Sequence, residues 1–176
     1  MRFVLVRHPP AAIAPGVCYG RLDIGLRGDA TDTVREIVSA IAGAGAVQVW
    51  ASPATRCLVV AEAVARDIGA DLLVDPRLQE LDFGAWEGVD WNSVARASLD
   101  AWAADPIDFA PPGGESGEAL LARVHAVHQA IIAARQDCVI VSHGGPLKLL
   151  AALIRQEPPD LLAAAQPLGS VQVLTG

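Results

Sequence analysis

The sequence predicts an α/β fold, a three-layer α/β/α sandwich around a largely parallel central sheet. Three observations carry this expectation. Apolar, strand-like runs alternate with stretches of helical periodicity along the chain. Two of those runs, residues 3–6 and 137–142, stop abruptly at a His beside Pro or Gly. Apolar residues make up 52% of the 176 and aromatic ones only 5%. An aliphatic core of that size suits one domain over residues 1–176.

The first strand is Phe3-Val4-Leu5-Val6, and it delivers Arg7 and His8 to its carboxyl end. In open α/β sheets that edge is where ligands bind. Taken alone, Arg7 as a cap and His8 as a turn residue is an equal alternative. Residues 9–28 form a long Gly- and Pro-rich loop, longer than a simple connector needs. Within it, Arg21 and Asp23 either pair with each other or serve a site. Residues 29–44 read as a helix with Val34, Ile37, Val38 and Ile41 on one stripe and Asp29 or Thr31 as cap. Residues 46–50 form the second strand. Ser52 as N-cap and Pro53 at the first helical position then open a helix that runs through Ile68 to Gly69. Arg56 falls in its first turn, where the positive dipole end makes a cation unfavourable. A local conflict of this kind marks a site more often than decoration.

Residues 71–74 form a short third strand. Leu78 to Gly88 interleaves Glu80, Asp82 and Glu87 with Leu, Phe and Trp. It can hold one acid in an apolar pocket, or its acids are solvated and its aromatics fill the core. Residues 89–104 read as a helix with Trp91, Val94 and Leu99 inward. Residues 105–117 form a loop or lid, and Ser116 caps a helix over 117–135. His125 and His128 share a face of that helix; without an adjacent acid they read as structural or surface residues. The strand at 137–142 repeats the opening design, ending in Ser142-His143-Gly144-Gly145-Pro146. A helix over 146–154, a short helix over 160–165 and a last strand over 169–174 complete the chain.

The formal charge is −7, which disfavours nucleic acid and anionic membrane as partners. No apolar run is long enough to span a bilayer, and no signal-peptide pattern opens the chain, so a cytoplasmic protein is expected. The three cysteines, Cys18, Cys57 and Cys138, are widely spaced and form no CxxC. Cys138 reads as a small buried hydrophobe. No Asp/Glu/His cluster has metal-ligand spacing. No cofactor or metal is therefore expected, and positive charge must come from side chains.

Arg7-His8, Arg56, Glu80 and His143 converge on one sheet edge. Two Arg and two His suit a small dianion such as a phosphomonoester better than a polymer. These residues resemble the histidine phosphatase superfamily, the phosphoglycerate-mutase-like fold. Val6-Arg7-His8 is similar to its Arg-His-Gly motif, and Ser52-Pro53-Ala54-Thr55-Arg56 to its Ser-Pro-x-x-Arg. Leu78-Gln79-Glu80 through Gly84-Ala85-Trp86-Glu87-Gly88 resembles its acid-bearing segment. Pro112-Gly113-Gly114-Glu115-Ser116 and Val141-Ser142-His143-Gly144-Gly145 match in the same order. Cys18-Tyr19-Gly20-Arg21-Leu22-Asp23 further resembles the α-ribazole phosphatase branch, a cobalamin-pathway group.

The resemblance implies that His8 is a nucleophile that becomes phosphohistidine. It implies that Arg7, Arg56 and His143 hold the equatorial phosphate oxygens. Glu80 would protonate the leaving oxygen and then take a proton from water, with Asp82 the next candidate. Pro9 stands where the family has Gly, and residues 9–17 offer no side-chain donor; Arg21 is expected to compensate as a substrate contact. The implied activity is metal-independent hydrolysis of a small phosphorylated metabolite, with α-ribazole 5′-phosphate as the branch substrate. The family's mutases usually carry longer insertions near the site, which favours a phosphatase over a phosphoglycerate-mutase-type phosphotransferase. Pro9 motivates a second alternative, a phosphoester-binding module with weak turnover. A metal-dependent hydrolase using His125 and His128 is a distant third. Specificity is expected in residues 11–25 and 86–117. Trp91 and Trp102 belong either to the core or to an interface, so oligomeric state stays open.

Overall fold

The computed structural model describes residues 1–45 and 47–176. Five strands form one sheet: β1 (Arg2–Arg7), β2 (Val47–Ala51), β3 (Leu72–Val74), β4 (Asp137–Ser142) and β5 (Val171–Thr175). Their order is β3-β2-β4-β1-β5. All neighbours are parallel except β5, which pairs antiparallel to β1 at the sheet edge. The expected largely parallel sheet is therefore present. The second strand was expected over 46–50; Ala46 lies outside the described residues.

The layers follow from the strand period of two. Phe3 and Leu5 of β1 face one side, with Cys138 and Ile140 of β4. They pack on α4 (Gly117–Ala133) and α5 (Gly144–Arg155) through Leu120, Val124, Leu147 and Leu150. Val4 and Val6 face the other side, with Val139 and Val141. They pack on α1 (Thr31–Ala40) and α2 (Thr55–Ile68) through Val34, Ile37, Val60 and Val64. A Leu or Ile buried this completely contributes roughly 1.5–3 kcal/mol. A third cluster sits over the carboxyl edge of the sheet, where Cys18, Trp86 and Val94 are buried with Phe83, Trp91 and Trp102 against them. Trp91 and Trp102 stack in it at 6.4 Å between ring centroids. Among the described residues no helix is long and apolar enough to cross a membrane.

Several boundaries differ from the sequence expectation. The helix expected over 89–104 is a 3₁₀ turn at Trp91–Ser93 followed by α3 (Arg96–Ala104). Asp90 causes the break by accepting the Asn92 N–H at 2.8 Å, a side-chain turn that competes with helix. The short helix expected over 160–165 is a turn whose Leu161 and Ala163 carbonyls accept from Lys148 Nζ. Ser116 does cap α4, accepting from Ala119 N at 3.2 Å. The helix expected from Pro53 starts at Thr55 instead.

Candidate active site

The two His-bearing strands are neighbours. The β1–β4 register pairs Arg7 with Ser142, so His8 and His143 follow at the same carboxyl edge, their rings 5.2 Å apart. Both are buried, as is Arg56, which is fully enclosed. Arg56 stands in the first turn of α2. Its Nη1 donates to Leu22 O at 3.0 Å and its Nη2 to Gly20 O at 2.6 Å, and its guanidinium lies 5.2 Å from the Tyr19 ring centroid. The loop at 9–28 thus wraps the arginine and offsets its burial. That loop also caps α2, because Asp23 accepts from Thr55 N at 2.8 Å and from Thr55 Oγ1 at 2.7 Å. Asp23 does not pair with Arg21.

The hydrogen bonds fix the imidazole tautomers. Guanidinium nitrogens can only donate. Arg56 Nε meets His8 Nε2 at 3.3 Å, and Arg56 Nη2 meets His143 Nδ1 at 3.2 Å. His8 therefore carries its proton on Nδ1, which donates to the Pro9 carbonyl at 2.7 Å. Its Nε2 lone pair faces the pocket. His143 carries its proton on Nε2, which donates to Ser52 Oγ at 2.8 Å. Burial, then the charges of Arg56 and Arg7, push His8 down to about 4 against the opposing Pro9 bond. Burial first, then Arg56, holds His143 well below its usual value. Both rings are neutral near pH 7.

Glu80 reaches the same edge from the segment after β3. Its carboxylate accepts from Gly145 N at 3.1 and 3.2 Å, at the start of α5, and from Leu81 N at 3.0 Å. A Cβ at Gly145 would meet Glu80 Oε1, so the glycine leaves the carboxylate room to reach the Gly145 N–H. Ser142 Oγ ties this segment to β4 by donating to Leu78 O at 2.6 Å. A cavity of about 210 Å³ is lined by Arg7, His8, Arg56, Glu80 and His143, with Tyr19, Phe83 and Trp91 on its apolar side. A neighbouring cavity of about 190 Å³ shares Arg7, Glu80 and Phe83 and runs on past Trp102 to Lys148 and Leu161. Arg7 Nη1 donates to Gln166 O at 2.8 Å, and its buried Nε has no hydrogen-bond partner.

Five expected residues thus line one pocket: Arg7, His8, Arg56, Glu80 and His143. Arg21 does not. It is about one third exposed and pairs with Glu115 at 3.4 Å and Asp82 at 3.9 Å. Asp82 is held in that same pair rather than in the cavity. His125 is exposed and His128 half-buried. Among the described residues no group of three or more His, Cys, Asp or Glu is arranged to hold a metal ion. Sequence reasoning missed the role of Ser52, taken for a helix cap; the actual N-cap is Ala54, and the serine hydroxyl serves His143. It also missed Arg123, for which no local pattern gives a signal.

The family model of the histidine phosphatase superfamily (branch 1) matches residues 3–176. The chain is similar to Bifunctional protein Rv2228c of Mycobacterium tuberculosis, at 33% identity over 159 residues. The match covers 86% of this chain and 43% of that protein, so the chain spans less than half of that relative's length. It is also similar to a mycobacterial glucosyl-3-phosphoglycerate phosphatase solved with inorganic phosphate, at 25% identity and a TM-score of 0.82, covering 99% of this chain and 89% of that one. The α-ribazole phosphatase of Shigella flexneri shares the fold, with a TM-score of 0.85 at 23% identity over 98% of this chain and 89% of that one.

Proposed function

The chain belongs to the histidine phosphatase superfamily, and from that premise we propose that residues 1–176 act as one phosphomonoesterase domain working through phosphohistidine on His8. The observation that carries this is the 2.7 Å bond from His8 Nδ1 to the Pro9 carbonyl. It puts the lone pair on Nε2, in a buried pocket where the ring is neutral and only a long 3.3 Å bond from Arg56 Nε covers it. The proline that replaces the family glycine lacks an N–H, but its carbonyl still orients the nucleophile. This favours turnover over a module that only binds.

His8 Nε2 attacks phosphorus in line, and the bond from phosphorus to the leaving oxygen breaks as Glu80 gives that oxygen a proton. The imidazolium so formed keeps its Nδ1–H on Pro9 O. Arg56 and Arg7 surround the equatorial oxygens, where charge gathers in the transition state, and His143, whose one N–H goes to Ser52, holds the Arg56 guanidinium in place by accepting from it at Nδ1. The substrate takes over the Arg56 Nε–H that otherwise covers His8 Nε2. A phosphate oxygen also offers the buried Arg7 Nε a partner, removing the cost of an unpaired donor. Water then enters, Glu80 removes its proton, and the new oxygen–phosphorus bond releases phosphate and restores His8. The arginines supply the positive charge without a metal ion.

The substrate is a small phosphate ester. Tyr19, Phe83 and Trp91 in the cavity lining suit a leaving group with a flat ring. This makes α-ribazole 5′-phosphate the first candidate, in line with Cys18-Tyr19-Gly20-Arg21-Leu22-Asp23. The test is phosphate release, with chelator present, from α-ribazole 5′-phosphate, 3-phosphoglycerate and a chromogenic aryl phosphate. The wild type is expected to turn over at least one ester, and His8→Ala to lose at least about 1,000-fold of that rate. Turnover abolished by chelator, or retained in His8→Ala, contradicts the proposal. Phosphate transfer to a second hydroxyl instead of release identifies a mutase.

A further inference from the structure

The segment that carries Glu80 is held by a charged clamp outside the pocket. Arg123, on α4, uses all five of its N–H donors. Its Nη1 donates to Arg77 O at 2.7 Å and Gln79 O at 2.6 Å. Its Nη2 donates to Glu80 O at 2.9 Å and Glu115 Oε2 at 2.9 Å. Its Nε donates to Glu115 Oε1 at 2.7 Å. The side chains of both partners are nearly enclosed, at 13% and 11% exposure. Glu115 in turn holds Asp82: its N–H donates to Asp82 O at 2.8 Å, and its carboxylate accepts from Asp82 N. Arg21 adds a second cation to Glu115 from the loop. Residues 77–82 are therefore gripped on both sides of Glu80 by one bidentate ion pair. No other side chain matches this geometry, since lysine has three donors and no planar fork. Burial works against the Glu115 charge, but the Arg123 bonds and charge outweigh it and keep the carboxyl below its usual value.

We propose that Arg123 and Glu115 are positioning residues for the acid–base chemistry of Glu80, setting its carboxylate at the leaving oxygen without touching substrate. The proposal rests on the phosphohistidine reading above. In the first step the leaving oxygen departs with the Glu80 proton while the His8–phosphorus bond forms. An alkoxide leaves only with that proton, whereas a nitrophenolate leaves without it. Displacement of the segment therefore penalises alkyl esters selectively. A misplacement near 1 Å costs on the order of 100-fold where a catalytic group must be aligned.

The experiment compares kcat/KM, which reports steps up to leaving-group departure, for an alkyl phosphate and 4-nitrophenyl phosphate. For Arg123→Lys the alkyl ester is expected to lose roughly 30-fold or more and the nitrophenyl ester less than about threefold. In a Glu80→Gln background the same change is expected to cost the alkyl ester nothing further. Glu115→Gln keeps the arginine and is the second variant should Arg123→Lys fail to fold by circular dichroism; the same selectivity at smaller size is expected. Equal losses on both esters in a folded variant, or an undiminished loss in the Glu80→Gln background, overturn the clamp and leave the phosphatase reading standing. No turnover of either ester by the wild type overturns that reading and the clamp with it.

Discussion

His8 and His143 are histidines kept uncharged by their surroundings, and this links the site to the stability of the protein. His8 stands near 4 in the folded chain and at 6.5 when exposed. Between those values the unfolded chain binds the proton and the folded chain does not. Stability from this residue is thus complete above pH 6.5 and is lost as pH falls towards 4. From pH 7 to pH 5 the loss is about 2 kcal/mol for His8. Urea unfolding at the two pH values checks this: His8→Asn should shed that part of the pH dependence, and an unchanged slope contradicts the assignment. The residues that could be found from sequence were those placed by the ends of elements. His8 and His143 each follow an apolar strand beside Pro or Gly, and Arg56 stood out because a cation is misplaced at a helix start. The pairing of Arg21 was not legible because its partners, Glu115 and Asp82, are distant in sequence. Arg123 was invisible for the same reason. It sits on an ordinary helix face and gains its meaning only when residues 77–80 fold against it.

Helix α2 shows how a site reshapes an element. Ser52-Pro53 has the composition of a helix start, yet the helix begins at Thr55. The Ser52 hydroxyl accepts from both His143 Nε2 and Ala54 N, so it turns the chain at residues 52–54 instead of capping the helix that starts at Thr55. Asp23 supplies the missing cap from the preceding loop, and its negative charge at the positive helix end favours the arrangement. The cap also anchors the chain that passes Gly20 and Leu22 carbonyls to Arg56. Asp23→Ala should cost about 1 kcal/mol of unfolding free energy, while Asp23→Asn, itself a good capping residue, should retain most of it. Equal stability of Asp23→Ala and wild type in denaturant titration contradicts this role. The helix expected across 89–104 and the one across 160–165 failed for a related reason. Their periodicity is acceptable for a helix, but Asp90 bonds the backbone at Asn92 and Lys148 draws out the Leu161 and Ala163 carbonyls.

On the scale of the whole molecule, alternation along β1 and β4 divides an aliphatic core into two layers, and the connection between their ends creates one pocket. That much followed from apolar runs, helical stripes and the repeated strand-to-His design. What did not follow is the way the pocket is walled. The loop at 9–28, the aromatic cluster around Trp86 and the Glu115–Arg123 clamp assemble from segments far apart in sequence, and each is held by contacts with no local period. They surround a neutral imidazole whose second nitrogen is tied to a backbone carbonyl. The central claim is that this imidazole carries phosphate during turnover. The most direct test is rapid quench of the wild type during hydrolysis of a phosphate ester, followed by alkaline digestion and mass spectrometry. Phosphate found on His8, absent in His8→Ala and turning over at least as fast as product forms, is the predicted result. Steady product release with no phosphate on His8 at any time would contradict the account.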